Sequence, residues 1–247
     1  MNRLSVVIIA CNEETNIGRC LKSVRWADEI VVADSGSSDN TLKICREYGC
    51  RIRRTKWLGF SGTRRFAARQ ASHGWILSVD ADEEVSAELA AEIQSLLKGT
   101  PRFNGYRIPV RSFFLGKRMR HSGWDRESHV RLFDRRRATY NDRLIHEGLR
   151  VRGGKGDLKG VLWHYPYPTL DRYIQKMNQY SELGALSLHR RGKTSSPFKA
   201  FMHAVLKFNK MYFLQRGILD GRRGFVLAAV SAVSVYFKYL KLWEMKE

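Results

Sequence analysis

Between Asp80 and Glu84 the chain places four carboxylates in five positions, Asp80, Asp82, Glu83 and Glu84, directly after the apolar run Trp75–Val79. The run reads as a buried strand. If the extended backbone continues, residues two apart turn their side chains to the same side, so Asp80 and Asp82 face together. Like charges that close repel, and burial sharpens the repulsion. A hard divalent cation relieves the conflict, and Mg²⁺ is held by one or two carboxylates together with substrate phosphates. An Asp-x-Asp at the carboxyl end of a parallel strand therefore suggests a metal–diphosphate site. The competing reading is a solvated acidic start to the following helix, favoured by the helix dipole, and Glu83 and Glu84 are expected to serve there.

Several elements must bring these acids to one rim. Leu4–Ala10 is β-branched and almost wholly apolar, which predicts a central strand covered on both faces. Thr15–Val24 carries Ile17, Leu21 and Val24 at helical spacing. Glu29–Ala33 is the second strand and ends at Asp34-Ser35-Gly36-Ser37-Ser38-Asp39; Asp39 is the expected N-cap of a helix running to Tyr48, with Gly49 its stop. Arg51–Arg54 is a short third strand, Gly62–Ala71 a third helix, and Gly74 breaks the chain before the acidic strand. Strand–helix alternation about every 25 residues signals a parallel sheet with helices on both faces. In such sheets ligands sit beyond the carboxyl ends of the strands. Asn12-Glu13-Glu14, Asp34-Ser35-Gly36-Ser37 and Asp80-Ala81-Asp82 all fall at such ends. A GxGxxG turn and a Walker lysine loop are both absent, which argues against hydride transfer and P-loop chemistry.

The chain has 247 residues, 43% hydrophobic and 28% charged, enough for a sizeable core, and its formal net charge is +20. Such an excess predicts an anionic partner: nucleic acid, an acidic membrane surface or a phosphorylated substrate. All four cysteines, Cys11, Cys20, Cys45 and Cys50, lie in the first fifty residues without a zinc-type pair, so reduced thiols are expected rather than a disulfide framework. Leu4–Cys11 ends in Asn12-Glu13-Glu14 with no small-residue cleavage site and reads as strand, not signal peptide. No stretch reaches the roughly 18 apolar residues needed to span a bilayer.

The segments VVIIACNEE, VVADSGSSDNT, FSGTRRFA and ILSVDADEEV, in that order, resemble the family 2 glycosyltransferases, whose fold is the nucleotide-sugar-binding GT-A arrangement. The resemblance implies a nucleoside-diphosphate sugar held across the strand ends. It implies that Ala10, Asn12 and Glu13 line base and ribose and that Asp34 contacts uracil or ribose. Arg64 falls where the family has a basic residue near the diphosphate; Asp80 would touch the ribose or metal-bound water, and Asp82 would ligate Mg²⁺ or Mn²⁺. A metal and an arginine suit the chemistry, because a departing diphosphate builds negative charge. For Asp34 an Asx-turn is the alternative reading, and for Arg64 a solvated helix face.

After Gly99-Thr100-Pro101 the pattern changes. Gly105–Phe114 and His129–Phe133 alternate apolar and basic residues, as strands with one wet face do. Eleven Lys/Arg lie between Arg102 and Arg137 against Asp125, Glu127 and Asp134. They make either a solubilising surface or a cleft for an anionic acceptor such as a phosphorylated sugar. Inverting sugar transfer needs a carboxylate outside the metal cluster to take the acceptor hydroxyl's proton. Asp125, Glu127, Asp142 and Glu147 are the candidates. Resemblance to the lipopolysaccharide-core branch, with its His-Glu pair after an RLF strand, favours Glu147, with His146 orienting it, contacting acceptor or simply packing. His164, in Trp163-His164-Tyr165-Pro166-Tyr167, could complete the metal shell, as a C-terminal His does in some GT-A enzymes; packing among its aromatic neighbours is the other reading.

From Thr169 the chain looks helical to Arg191, and Phe198–Gln215 sets Phe201, Val205, Phe208 and Tyr212 on one face and Lys199, His203, Lys207 and Lys210 on another. That is a basic, aromatic-rich amphipathic helix of the interfacial kind. Phe225–Phe237 has no charge for thirteen residues, too short to span, and a helical pair packing on the catalytic domain or forming a dimer is the alternative. This arm, with YIQKMNQYSELGA and ILDGRRGF, resembles bacterial lipopolysaccharide core biosynthesis β-1,4-glucosyltransferases. The expected organisation is a GT-A catalytic domain over 1–167, split into a nucleotide-sugar half (1–99) and an acceptor half (100–167), then a helical arm over 168–247. The resemblance implies transfer of a hexose, glucose from UDP-glucose, to a lipid-linked phosphorylated saccharide on the cytoplasmic face of the inner membrane, by a peripheral enzyme at an anionic membrane surface. Transfer to a polyprenyl phosphate is the same-fold alternative. A nucleic-acid-binding protein is the rival of another class, but it gives no reason for acids clustered at strand ends, so no specific nucleic acid is expected.

Overall fold

The computed structural model describes residues 2–140 and 149–245. Its elements run β1 (Leu4–Ala10), α1 (Ile17–Ser23), β2 (Glu29–Asp34), α2 (Thr41–Glu47), β3 (Arg51–Arg54), α3 (Gly59–Gln70), β4 (Trp75–Asp80), β5 (Glu83–Val85) and α4 (Ala87–Lys98). Then come β6 (Gly105–Phe114), β7 (Lys117–Arg118), β8 (Ser128–Asp134), β9 (Ala138–Tyr140), β10 (Leu149–Val151), β11 (Lys155–Asp157) and β12 (Leu162–Tyr167). Three helices close the chain: α5 (Leu170–His189), α6 (Pro197–Asn209) and α7 (Arg222–Glu244). The chain divides into two compact units, Met1–Val110 with Ser128–His164, and Arg111–Glu127 with Tyr165–Glu247.

In the first unit β3, β2, β1 and β4 lie side by side and parallel. β8 joins β4 antiparallel, and β6 joins β8 antiparallel. Period-two alternation sorts β1 into two cores: Leu4, Val6, Ile8 and Ala10 pack with α1, α2 and α4, whereas Val7 and Ile9 pack with the alanines of α3. Both faces are therefore covered. Each fully buried Leu or Ile contributes about 1.5–3 kcal/mol, and α3 comes close because Ala67, Ala68 and Ala71 leave room for the sheet.

Register sets the rim. Ala10 lies opposite Asp34, and Ile9 opposite Asp80, so the β1, β2 and β4 ends finish level. The expected helix after Asp34 starts one residue late: Asn40 occupies the N-cap position, while Asp39 Oδ1 accepts from Thr41 N at 3.0 Å. The acidic strand ends at Asp80, and Ala81 and Asp82 form a turn, so Asp80 and Asp82 do not share an extended backbone. Glu83 and Glu84 do not start the next helix. They form β5, which pairs with β12, and Ser86 caps α4 by accepting from Leu89 N at 3.2 Å.

The second unit has its own core of Phe114, Met119, Tyr173, Met211, Leu227 and Ala228, with Trp124, Tyr167, Phe208 and Tyr212 packed against it. Leu115 and Gly116, both at positive φ, make the two-residue hairpin turn between β6 and β7. The expected helix over 198–215 is α6 followed by a π-turn at Lys210–Leu214, with a 3₁₀ turn at Gly217–Asp220 before α7. The thirteen uncharged residues lie inside a 23-residue helix, α7, which by length and composition alone is long and apolar enough to cross a membrane. The reading that no such stretch exists is corrected: it counted only the uncharged core and not the helix that extends it at both ends.

Candidate active site at the strand ends

The β1 and β2 ends are tied into one polar loop network. Asn12, at φ 54°, accepts from Ser38 N through Oδ1 at 2.8 Å, and its own N–H donates to Ser37 Oγ at 3.0 Å. Glu13 N donates to Thr41 Oγ1 at 2.8 Å, and Glu13 Oε2 accepts from Asn16 Nδ2 at 2.8 Å. Asp34 is buried and accepts from Gly36 N at 3.1 Å and Ser37 N at 3.2 Å, the Asx-turn arrangement. Ala10 sits beneath, with its carbonyl accepting from Ser35 N at 3.0 Å. All four residues assigned to base and ribose thus share one rim.

At the β4 end the carboxylates are answered by arginines. Arg64, from α3, donates to Asp80 through Nη2 at 2.8 and 2.7 Å and through Nε at 3.2 Å. Arg131, from β8, donates through Nη2 to Asp80 Oδ2 at 3.0 Å and to Glu83 Oε1 at 2.7 Å. Glu83 Oε2 accepts from Asp80 N at 2.8 Å, closing the ring. Burial alone would raise the Asp80 pKa, but Arg131 and Arg64 hold it well below the usual carboxylate range. Burial, with Asp80 beside it, pushes Glu83 up despite Arg131. Arg131 Nε, also buried, has no hydrogen-bond partner among the described residues. Arg64 is therefore part of this buried network and not a solvated helix face.

Asp82 stands on the turn, with His164 Nε2 of β12 3.5 Å from its Oδ1. β12 reaches it because His164 pairs in register with Glu83. Burial would lower the imidazole pKa, but Asp82 first, then Glu83 and Asp80, raise it. The rim sets Asp80 and Glu83 against the Arg64 and Arg131 guanidiniums, so the like-charge conflict between these two acids is already relieved by the arginines.

The donor set of Asp82 and His164 fits a divalent cation. One oxygen and one imidazole nitrogen at this separation approach the ~3 Å expected of neighbouring ligands on a metal with bonds of about 2.1 Å. Among the described residues no group of three or more His, Cys, Asp or Glu converges on a cation position. Asp80 has both oxygens engaged by Arg64 and Arg131.

Glu147, with His146 and Asp142, lies outside the described residues, and Asp125 and Glu127 belong to the second unit. Several basic residues between 102 and 137 have partners inside the first unit: Arg107 pairs with Asp157, Arg136 with Asp134, and Arg135 with the Ala68 and Ala71 carbonyls. Arg131 was missed by sequence reading. Its only signal was a basic residue in an alternating strand whose neighbours, Leu132 and Phe133, are buried.

A half-parallel sheet covered on both faces, with an acidic and arginine-braced rim at the carboxyl ends of its parallel strands, is an α/β fold of the GT-A kind. The chain belongs to glycosyl transferase family 2, whose profile matches residues 5–156, and it is a glycosyltransferase. Its relatives include an uncharacterized glycosyltransferase of Rickettsia typhi, 28% identical over 99% of this chain and 88% of the relative. Another is the lipopolysaccharide core biosynthesis glycosyltransferase LpsC of Rhizobium meliloti, 29% identical over 98% of this chain and 92% of LpsC. Among solved structures, S. aureus TarS 1-349 is similar over 99% of this chain and 91% of that one, with 14% identity and TM-score 0.47. Mycobacterium tuberculosis glucosyl-3-phosphoglycerate synthase, in a complex with Mn²⁺ and uridine diphosphate, is similar over 46% of this chain and 44% of that one, with 26% identity and TM-score 0.35.

Proposed function

We propose that the chain is an inverting, metal-dependent hexosyltransferase that moves glucose from UDP-glucose to an anionic, lipid-linked saccharide of the lipopolysaccharide inner core, working as a peripheral enzyme on the cytoplasmic face of the inner membrane. The observation that carries the reading is Asp82 beside His164 at a strand-end rim that also holds the Asp80–Arg64 pair. The end-to-end likeness to LpsC supports the acceptor class.

In this reading Ala10, Asn12, Glu13 and Asp34 line the base and ribose, and Asp80 contacts the ribose. Asp82 and His164 would hold Mg²⁺ or Mn²⁺, which would supply Lewis-acid neutralisation of the diphosphate charge. Arg64 brings fixed positive charge to the side where the leaving group departs. Glu147 takes the proton of the acceptor hydroxyl as its oxygen attacks the anomeric carbon and the bond to UDP breaks on the opposite face. Residues 1–99 carry the donor chemistry, residues 100–167 the acceptor side, and residues 168–247 meet the acceptor's membrane.

The test pairs a transfer assay with donor binding. Glu147→Gln is expected to abolish transfer and leave nucleotide-sugar binding intact; unchanged turnover removes Glu147 from the mechanism. Presenting core oligosaccharide and polyprenyl phosphate in parallel assigns the acceptor.

A further inference from the structure

The second unit leaves its apolar surface in water to an extent the first does not. A rotation of about 100° per residue puts Phe198, Phe201, Met202 and Leu206 on one side of α6, and all four are exposed, Phe198 at 72% and Leu206 at 64%. The opposite side holds the buried Ala200. The turn that follows continues the theme with Phe213, Leu214 (80% exposed), Ile218 and Leu219, and α7 opens with exposed Phe225.

The exposed charges on α6 and the α6–α7 turn have one sign. Lys199, Lys210, Arg216, Arg222 and Arg223 are all exposed. No carboxylate occurs in the sequence between Glu182 and Asp220. Asp220 itself is buried; its oxygens accept from the backbone N–H groups of Arg120, at 3.2 Å, and His121, at 3.0 Å, and lie 3.1 Å from His121 Nδ1. Two copies meeting here would set cation against cation, whereas anionic headgroups would complement the rim while acyl chains receive the apolar side chains.

The turn is braced. Ser122 N donates to Gln215 O at 2.9 Å. Gly224 packs so closely that an added Cβ would lie 1.9 Å from the Gly217 carbonyl oxygen. Phe213, Leu214, Ile218 and Leu219 are thus displayed on a fixed scaffold. α7, though long enough to span, has polar ties to α5 that a membrane crossing would strip: Tyr173 Oη to Ser231 Oγ at 3.2 Å, and Lys241 Nζ to Asn178 Oδ1 at 2.7 Å and Ser181 Oγ at 2.9 Å.

We propose that the outward side of α6 and the α6–α7 turn form an interfacial membrane-binding surface. Its occupant is an anionic lipid bilayer, entered by Leu206, Phe213, Leu214 and Leu219 and held by Arg216, Arg222 and Arg223. The inference deepens the membrane location in the proposed function and rests on that reading for its setting.

The test is co-sedimentation of the full chain with vesicles of phosphatidylcholine containing or lacking about one third phosphatidylglycerol. The Leu206→Ser/Leu214→Ser and Arg216→Glu/Arg222→Glu variants are run alongside. Wild type is expected to sediment with anionic vesicles and to be released by high salt, with each double variant losing at least tenfold in partitioning at an unchanged melting temperature. Four outcomes overturn the proposal: wild type left in the supernatant, variants that bind as wild type does, an association of chains in solution abolished by the same substitutions, or retention through salt and alkaline carbonate as for a spanning helix. Nucleotide-sugar stabilisation measured on the same variants reports the donor site separately, so loss of vesicle binding with donor binding intact distinguishes failure of this surface from failure of the glycosyltransfer reading.

Discussion

The first unit closes its core and answers its charges internally, whereas the second leaves apolar side chains facing out among cations. Among the described residues, the exposed large hydrophobics of the first unit are Trp57 and Leu58; all the others, from Leu170 to Met245, belong to the second. In the first unit the half-buried Asp80 and the buried Glu83 are paired with Arg64 and Arg131. In the second, the one buried carboxylate among the described residues, Asp220, accepts from two backbone N–H groups and meets the His121 imidazole, and Lys210, Arg216, Arg222 and Arg223 are exposed. One region is organised for a small anionic ligand at a fixed rim, the other for a second solvent. The braced rim sets two guanidiniums against three carboxylates and adds nothing to the excess of +20; the basic apolar surface of the second unit carries part of it.

The contrast breaks hardest at Arg131. Arg131→Met leaves the buried Glu83 without its cation and the half-buried Asp80 with Arg64 alone, and removal of one partner from such a buried pair costs about 3–5 kcal/mol; urea denaturation should show that loss, and a cost below 1 kcal/mol would mean the ring contributes little. Core truncation comes next. Leu77→Ala, in the centre of β4 and fully buried, should cost about 2–5 kcal/mol, and a neutral result would say that the first unit is not tightly packed.

Acid sharpens the same comparison. Glu29 is buried enough that its pKa would rise, yet hydrogen bonds from Ser5, from the Ser72 backbone and hydroxyl and from Arg51 lower it to about 2. A folded-state pKa below the ordinary value of 4.5 means this stabilisation is complete above that value and is lost as pH falls through about 2. Glu29→Gln should flatten the stability curve across that window by about 1–2 kcal/mol after solvent screening. The smallest effect belongs to the second unit: Leu214→Ser, at an exposed position, should change stability by no more than about 0.5 kcal/mol. A large loss there would place Leu214 in a core and not on a surface.

The parallel half of the fold was legible because its strands are continuous apolar runs and its helices carry local periodicity, as in Leu4–Ala10 and Trp75–Val79. The rim was legible in part. Asp34 and Asp80 were found because acids at strand ends are a local signal, and strand register then places them level. Glu83 was misassigned because its role comes from Arg131, 48 residues away, and from a three-residue strand paired with β12. Neither partner leaves a trace near Glu83 in the chain. The turn at Ala81–Asp82 was hidden for the same reason, since Asp-Ala-Asp is equally compatible with extended backbone. In the second unit helical periodicity was plain, but the helix bounds were not, so α7 was read as thirteen uncharged residues when it has 23.

The most direct test is a thermal-shift titration of wild type, Asp82→Asn and His164→Ala with UDP-glucose, with and without Mn²⁺. For wild type near a hundredfold excess over Kd, metal and donor together should raise the melting temperature by about 5–10 °C, and both substitutions should remove most of that rise. A rise of equal size in Asp82→Asn and His164→Ala would contradict the assignment of the cation and donor diphosphate to this pair.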